Sequence, residues 1–263
     1  MNALGVDVSH WHLTVDWKPL KAAGVCFAVV KASGGVKGVD PLLRSHFNQA
    51  RDAGMVTGVF HWVDPTEPVR QQVDHFLATC DGLDYDFAAL DVEQQWQSWQ
   101  EWGVQKIVRI VPPERISAHA RETAEMLRSS IRKQVVIYTR TSFVQDYARP
   151  MQTWLPGWPL WLAYYPYPRG RVTVSWEELF KKHPPRIAGP RLPQGCKDWR
   201  FWQFSGDRFV LPGVVSPLDL NYFNGDEAQL RSWLNEGLAA PEKFTDTEKL
   251  RLLWDAHPEL RRL

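Results

Sequence analysis

The sequence predicts an α/β protein whose mostly parallel sheet closes into a barrel with an irregular second half. Three observations lead there. Short apolar runs alternate with amphipathic segments along most of the chain. The runs are too apolar to leave one face wet, as expected of parallel strands covered by helices. Five strand–helix units are then followed by strands with little helix between them. A length of 263 residues, with 44% hydrophobic and 23% charged residues, suits one barrel with a sizeable core.

Taken in order, strands are expected at 4–8 (LGVDV), 25–31 (VCFAVVK), 56–62 (VTGVFHW), 87–92 (FAALDV), 134–138 (QVVIY), 159–163 (PLWLA) and 200–204 (RFWQF), with a short piece near 218–220. Each is a short run enriched in β-branched, aromatic or other apolar residues. Helical patterns fill 17–23, 41–53, 67–79, 114–131 and 142–148. The stretch 164–198, rich in Pro, Gly and charge, reads as a long loop with one short helix near 175–182, and long loops often line sites. A closing helix is expected at 226–236. The barrel domain therefore covers 1–237, followed by a linker and a short helix at 238–263. In that tail Thr245 and Glu248 form a capping-box pattern, and Leu250, Leu253 and Trp254 an apolar stripe. The stripe suits packing on the barrel, docking to a larger assembly, or self-association.

Bulk chemistry excludes several function classes. A formal charge of +1 gives no electrostatic argument for nucleic acid or an anionic membrane. Cys26, Cys80 and Cys196 lack any metal-ligand spacing and read as buried thiols, so no metal or organic cofactor is expected. The opening MNALGVDVSHWH has neither a basic nor an apolar signal region, and no run approaches the roughly 18–20 apolar residues of a membrane span. The expectation is a soluble chain made in the cytoplasm without a signal peptide. GxSxG, P-loop and HExxH patterns are absent. His10, His12 and His61 lie near strand ends, where ordinary hydrogen bonding explains them. Lys31 alone does not make a Schiff-base site.

The chemistry that remains lies in DFAALDVEQQ, residues 86–95. Its apolar run ends in Asp91 and Glu93, which share a face because strand residues alternate, with Cα atoms roughly 6.5–7 Å apart. Catalytic groups of parallel barrels sit at such strand ends, and Asp7 and Asp219 occupy similar places. Neighbouring carboxylates oppose joint ionisation, which keeps one protonated as a general acid beside the other, the requirement of glycoside hydrolysis. On its own the pair is equally compatible with a structural or metal-binding role. Aromatics shift the balance. Fourteen Trp residues include Trp11, Trp62, Trp161 and Trp202 at strand ends and Trp96, Trp99 and Trp102 just after the acids. Rings beside paired acids suggest a carbohydrate groove, although core packing explains many of them individually.

The segments GVDVSHWH, CFAVVKASGG, GVFHWVDP, ALDVEQ, VVIYTR, PLWLAYY and FWQFSGDRFVLPGVVSPLDLNYFNGD occur in the order seen in glycoside hydrolase family 25. The chain resembles that family, the Chalaropsis-type lysozymes or N-acetylmuramidases, from about residue 4 to 235. The resemblance implies a flattened, irregular (β/α)5(β)3 barrel. It also implies cleavage of the β-1,4 bond between N-acetylmuramic acid and N-acetylglucosamine in peptidoglycan. By motif, Glu93 matches the general acid, Asp91 the carboxylate beside it, and Asp7 and Asp219 two further cleft acids. Tyr138 and Trp161 match aromatic positions around the substrate, and Phe60, Trp62, Trp11 and Tyr164 complete the expected binding surface.

Two departures stand out. Where the family often has KATEG this chain reads KASGG, so Gly34 replaces a cleft carboxylate, and Phe60 in GVFHW replaces a tyrosine. They motivate an alternative, a glycan-binding barrel with impaired catalysis; activity on chitin is a third. The expected partner is bacterial peptidoglycan, in the setting of a phage endolysin that reaches the wall after the host membrane is breached. A virion-associated lysin docked through the C-terminal helix is the other setting.

Overall fold

A computed structural model of the chain describes residues 2–100 and 109–236. In chain order its regular elements are β1 (Ala3–Val8), α1 (Trp17–Ala22), β2 (Val25–Gly34), β3 (Gly38–Val39), α2 (Leu43–Asp52), β4 (Val56–Trp62), α3 (Val69–Thr79), β5 (Phe87–Asp91), α4 (Pro113–Ser130), β6 (Gln134–Thr139), α5 (Thr141–Tyr147), β7 (Leu160–Ala163), β8 (Val172–Thr173), α6 (Trp176–Lys182), β9 (Phe201–Val210), β10 (Leu218–Phe223) and α7 (Glu227–Asn235). The sheet runs β1-β2-β4-β5-β6-β7-β9-β10 and returns to β1, closing a barrel. Within that ring only the two pairings of β10 are antiparallel. The first five ring strands, β1, β2, β4, β5 and β6, are each joined to the next through a helix. β7, β9 and β10 form an irregular remainder, with only the short α6 between β7 and β9 and α7 after β10, which is the expected (β/α)5(β)3 arrangement.

Two-residue alternation divides the core into two layers. Outward positions such as Val6, Ala28, Val30, Leu90 and Ile137 pack under the helices with Leu20, Phe47, Phe76 and Leu127. Inward positions at one end are filled by Phe27, Phe87, Phe201 and Phe223, beneath which α7 inserts Leu230 and Trp233. Phe201 sits at the centre of this plug, 5.1 Å from Phe87, 5.3 Å from Phe27 and from Phe223, and 5.7 Å from Trp233 by ring centroids. So many rings fit because small residues face them. A Cβ placed on Gly58 would lie 2.5 Å from the Phe87 ring.

The structure extends some expected elements. β9 continues to Val210 and β10 to Phe223. Gly206-Asp207 reads locally as a turn. Instead the β9–β10 ladder crosses it with a register shift, and Asp207 adopts φ 53. The stretch 164–198 contains α6, capped by Ser175 and Glu178, and also β8, which exists only through its pairing with β9. Trp96 lies in a bridge to Ile110 rather than on a helix face, while Trp102 and the helix expected in 238–263 fall outside the described residues. Among the described residues no helix is long and apolar enough to cross a membrane.

Gly58→Ala is expected to cost about 1–3 kcal/mol through overpacking. Urea unfolding of the two proteins measures the difference, and equal midpoints would show that the plug is looser than described.

Candidate active site

The inward parity that builds the plug at one end builds a polar site at the other. Asp7 closes β1, and across the ladder it faces Asp219 on β10. Asp91 ends β5 between Trp62 on β4 and Tyr138 on β6, and Tyr138 is itself paired with Trp161 on β7. Glu93 follows two residues after Asp91 and continues its face.

These groups line an elongated cleft in two arms of about 920 and 910 Å³. The first arm holds Asp7, Asp91, Asp219, Tyr138, Trp161 and Phe60. The second is walled by the 34–41 segment and by Trp62, Trp96 and Trp99, whose ring centroids lie 4.9–6.0 Å apart. Gln94 fixes this wall by accepting from Trp62 Nε1 at 2.9 Å and donating to the Trp96 carbonyl. Trp11, Lys31, Trp62, Glu93 and Arg140 border both arms. Glu93 therefore stands where the arms meet.

A hydrogen-bond net holds the first arm. Asp7 Oδ2 accepts from Gln203 Nε2 and Asn221 Nδ2, each at 2.8 Å. Asn221 Oδ1 accepts from Trp161 Nε1 at 2.8 Å, and Gln203 Oε1 from the hydroxyls of Tyr138 and Tyr165. Asp91 Oδ1 is buried and, among the described residues, has no hydrogen-bond partner. Burial pushes the Asp7 carboxyl up from 3.8 to about 6, against the lowering effect of its amide donors. Burial, reinforced by Glu93, raises Asp91 well above the usual carboxylate range. Glu93 is raised by burial and partly drawn back by Arg140 and Lys31. Asp219 is raised by burial and by Asp7. The cleft thus holds carboxyls that retain protons toward neutral pH, next to one another. They titrate as a set, with one able to donate while a neighbour stays charged.

Six expected residues, Glu93, Asp91, Asp7, Asp219, Tyr138 and Trp161, come together at this end of the barrel. Phe60 lines the first arm and meets Trp161 edge-on at 6.2 Å. Trp11, 75% exposed, stands at the mouth. Tyr164 does not join them. It continues the outward parity of Leu162, packs against the outer core and lies under Arg191, while Tyr165 is the tyrosine that faces the cleft. The acid expected and lost at position 34 also has a counterpart. Glu67 enters the second arm from the β4–α3 connection and accepts from Val36 N at 2.6 Å. Lys31, Arg140, Gln203, Asn221 and Tyr165 were not among the expected site residues. Each is a polar residue at an inward position of an otherwise apolar strand, or one step beyond its end, and that signal is present in the sequence.

An eight-stranded barrel with paired, proton-retaining carboxyls in a long aromatic cleft defines a glycoside hydrolase. The Glycosyl hydrolases family 25 pattern matches residues 6–214, and the chain belongs to that family, an enzyme of the muramidase type. It is 27% identical over 236 residues to lysozyme M1 of Streptomyces globisporus, covering 88% of this chain and 71% of that one. The fold superposes on a bacterial lysozyme from Streptomyces coelicolor with a TM-score of 0.69 at 23% identity, over 89% of this chain and 98% of the other. A family 25 lysozyme from Aspergillus fumigatus gives 0.66 at 21% identity, over 89% and 99%.

The raised Asp7 carboxyl has a consequence for stability. Between pH 3.8 and about 6 the folded protein keeps a proton that the unfolded chain releases, so stability falls as pH rises through that window. At neutral pH the cost is on the order of 3 kcal/mol at most. Asp7→Asn is therefore expected to be more stable than wild type at pH 7, with the gap closing toward pH 4. Urea unfolding at both pH values checks this, and a gap independent of pH would refute it.

Proposed function

We propose that this protein is an N-acetylmuramidase that cleaves peptidoglycan within its glycan strands. The bond cut is the β-1,4 linkage between N-acetylmuramic acid and N-acetylglucosamine. One observation carries the reading: Glu93, beside Asp91, stands at the junction of two cleft arms, so a polymer filling both would cross the acid at an internal bond. Glu93 protonates the leaving oxygen, and Asp91 stabilises the positive charge that develops on the cleaved sugar. Asp7 and Asp219 complete the acidic floor. Trp62, Trp11, Phe60, Tyr138 and Trp161 offer rings and a hydroxyl to the sugars. Family membership and the likeness to lysozyme M1 support the substrate class. Lysis of a phage-infected cell from within is the biological setting we attach to it. That setting requires lysis by the expressed protein only after the inner membrane is permeabilised.

The decisive experiment is mass spectrometry of fragments released from purified peptidoglycan by wild type and Glu93→Gln. Wild type is expected to leave N-acetylmuramic acid at the new reducing ends, and the variant to be about 10²–10⁴-fold slower. N-acetylglucosamine at those ends would assign the other bond. No release from several wall chemistries would overturn the reading in favour of a binding barrel.

A further inference from the structure

Two cations, Lys31 and Arg140, border both arms of the cleft. Among the described residues neither side chain has a hydrogen bond or an ion pair. Lys31 Nζ lies 5.2 Å from the Trp62 ring centroid and 5.9 Å from that of Phe60, which leaves its three protons unbound. Arg140 follows Tyr138 by two residues, so it continues the inward face past the end of β6. It caps α5 through its backbone without a side-chain bond, and its exposed guanidinium has no structural task. Arg208 in the first arm differs, since from β9 it donates to the carbonyls of Pro168 and Gly170 and braces the loop that follows β7.

Glu93 and Asp91 feel this charge, which draws both carboxyls back from the rise that burial causes. Among the described residues, however, neither forms an ion pair with Lys31 or Arg140, so the donors stay free for an arriving group. A neutral sugar hydroxyl can accept a single bond from such a guanidinium but offers no charge to match it. A carboxylate does, and it can take two parallel N–H donors from Arg in a half-enclosed site. We propose that Arg140, assisted by Lys31, binds a carboxylate carried by the saccharide next to the scissile bond, and that this contact makes the cleft select acid-bearing sugars over neutral ones. The inference rests on the muramidase reading and names its specificity determinant. Two carboxylates have this chemistry in peptidoglycan: the lactyl carboxyl of a muramic residue whose peptide has been removed, and a carboxyl of the peptide stem itself.

The test compares kcat/KM of wild type, Arg140→Ala and Arg140→Lys on four substrates. These are glycan strands bearing stem peptides and strands stripped of them, each before and after conversion of carboxyls to methylamides. Wild type is expected to lose tenfold or more on methylamidation of at least one strand type, and that type identifies the carboxylate. In Arg140→Ala the ratio should fall below about twofold, with Arg140→Lys intermediate because a point charge replaces a fork. Arg140 also influences the carboxyl pKa values, but that effect acts on every substrate and cancels in the ratio. Wild-type indifference to methylamidation, or an unchanged ratio in Arg140→Ala, would overturn the proposal. Failure of the wild type to release reducing ends from any strand would instead remove the muramidase reading on which it rests.

Discussion

Four carboxyls on the inner face of one barrel, Asp7 and Asp91 buried and Glu93 and Asp219 half-buried, are the constraint on which the rest of this structure depends. Burial raises the cost of ionising each, Glu93 adds to that cost at Asp7, Asp91 and Asp219, and Asp7 adds to it at Asp91 and Asp219. A sheet can tolerate that only if the same strands gain stability elsewhere. Here they do so a few residues away, where inward positions carry phenylalanine instead of acid. Phe87 and Asp91 lie on one strand and one face, as do Phe223 and Asp219. The plug and the site are two ends of one surface, and the amide net of Gln203 and Asn221 marks the boundary between them.

That net explains why the four acids are not equivalent. Asp7 receives two amide donors, which offset part of its burial, whereas Asp91 has an oxygen with none. An unsatisfied buried oxygen is costly unless something arrives to meet it. On the function we propose, the arriving group is the sugar whose charge grows in the transition state, which gives the orphan oxygen a task in the reaction. Glu93, half-buried and at the meeting of the arms, has the solvent access that reprotonation would need in the role we propose for it.

Much of this was legible in the sequence because burial on both faces leaves a run of apolar residues that water would not permit. The ring strands through β7 and the helices between them follow from that pattern alone, whereas the two-residue β3 does not. Legibility failed where local chemistry and long-range pairing disagree. Gly206-Asp207 has turn composition, and only the partner strand β10 keeps it in the ladder. β8 is two residues long and has no sequence signature apart from its neighbour. Tyr164 is a different kind of miss. Counting by twos from Trp161 reaches Ala163 and then Tyr165, so alternation carried one residue past the strand end identifies the tyrosine that the cleft uses. The same count finds Gln203 from Phe201 and Arg140 from Tyr138.

Position 34 shows how a cleft can keep its charge while changing its source. Gly34 leaves room for Trp62, whose Cβ would sit 3.1 Å from any Cβ at that position. The indole is thereby free to join Trp96 and Trp99 in the wall of the second arm. The carboxylate comes instead from Glu67, seated against Gly35, where a Cβ would lie 2.3 Å from its oxygen. Both glycines of KASGG are thus needed for contacts made by residues some thirty positions later in the chain. Read along the sequence, the segment looks like a site that has lost a group. Read across the barrel, it is a site in which an aromatic wall and an acid from another segment stand around the glycines, and the pair of carboxyls to which we assign the chemistry stands apart from the exchange.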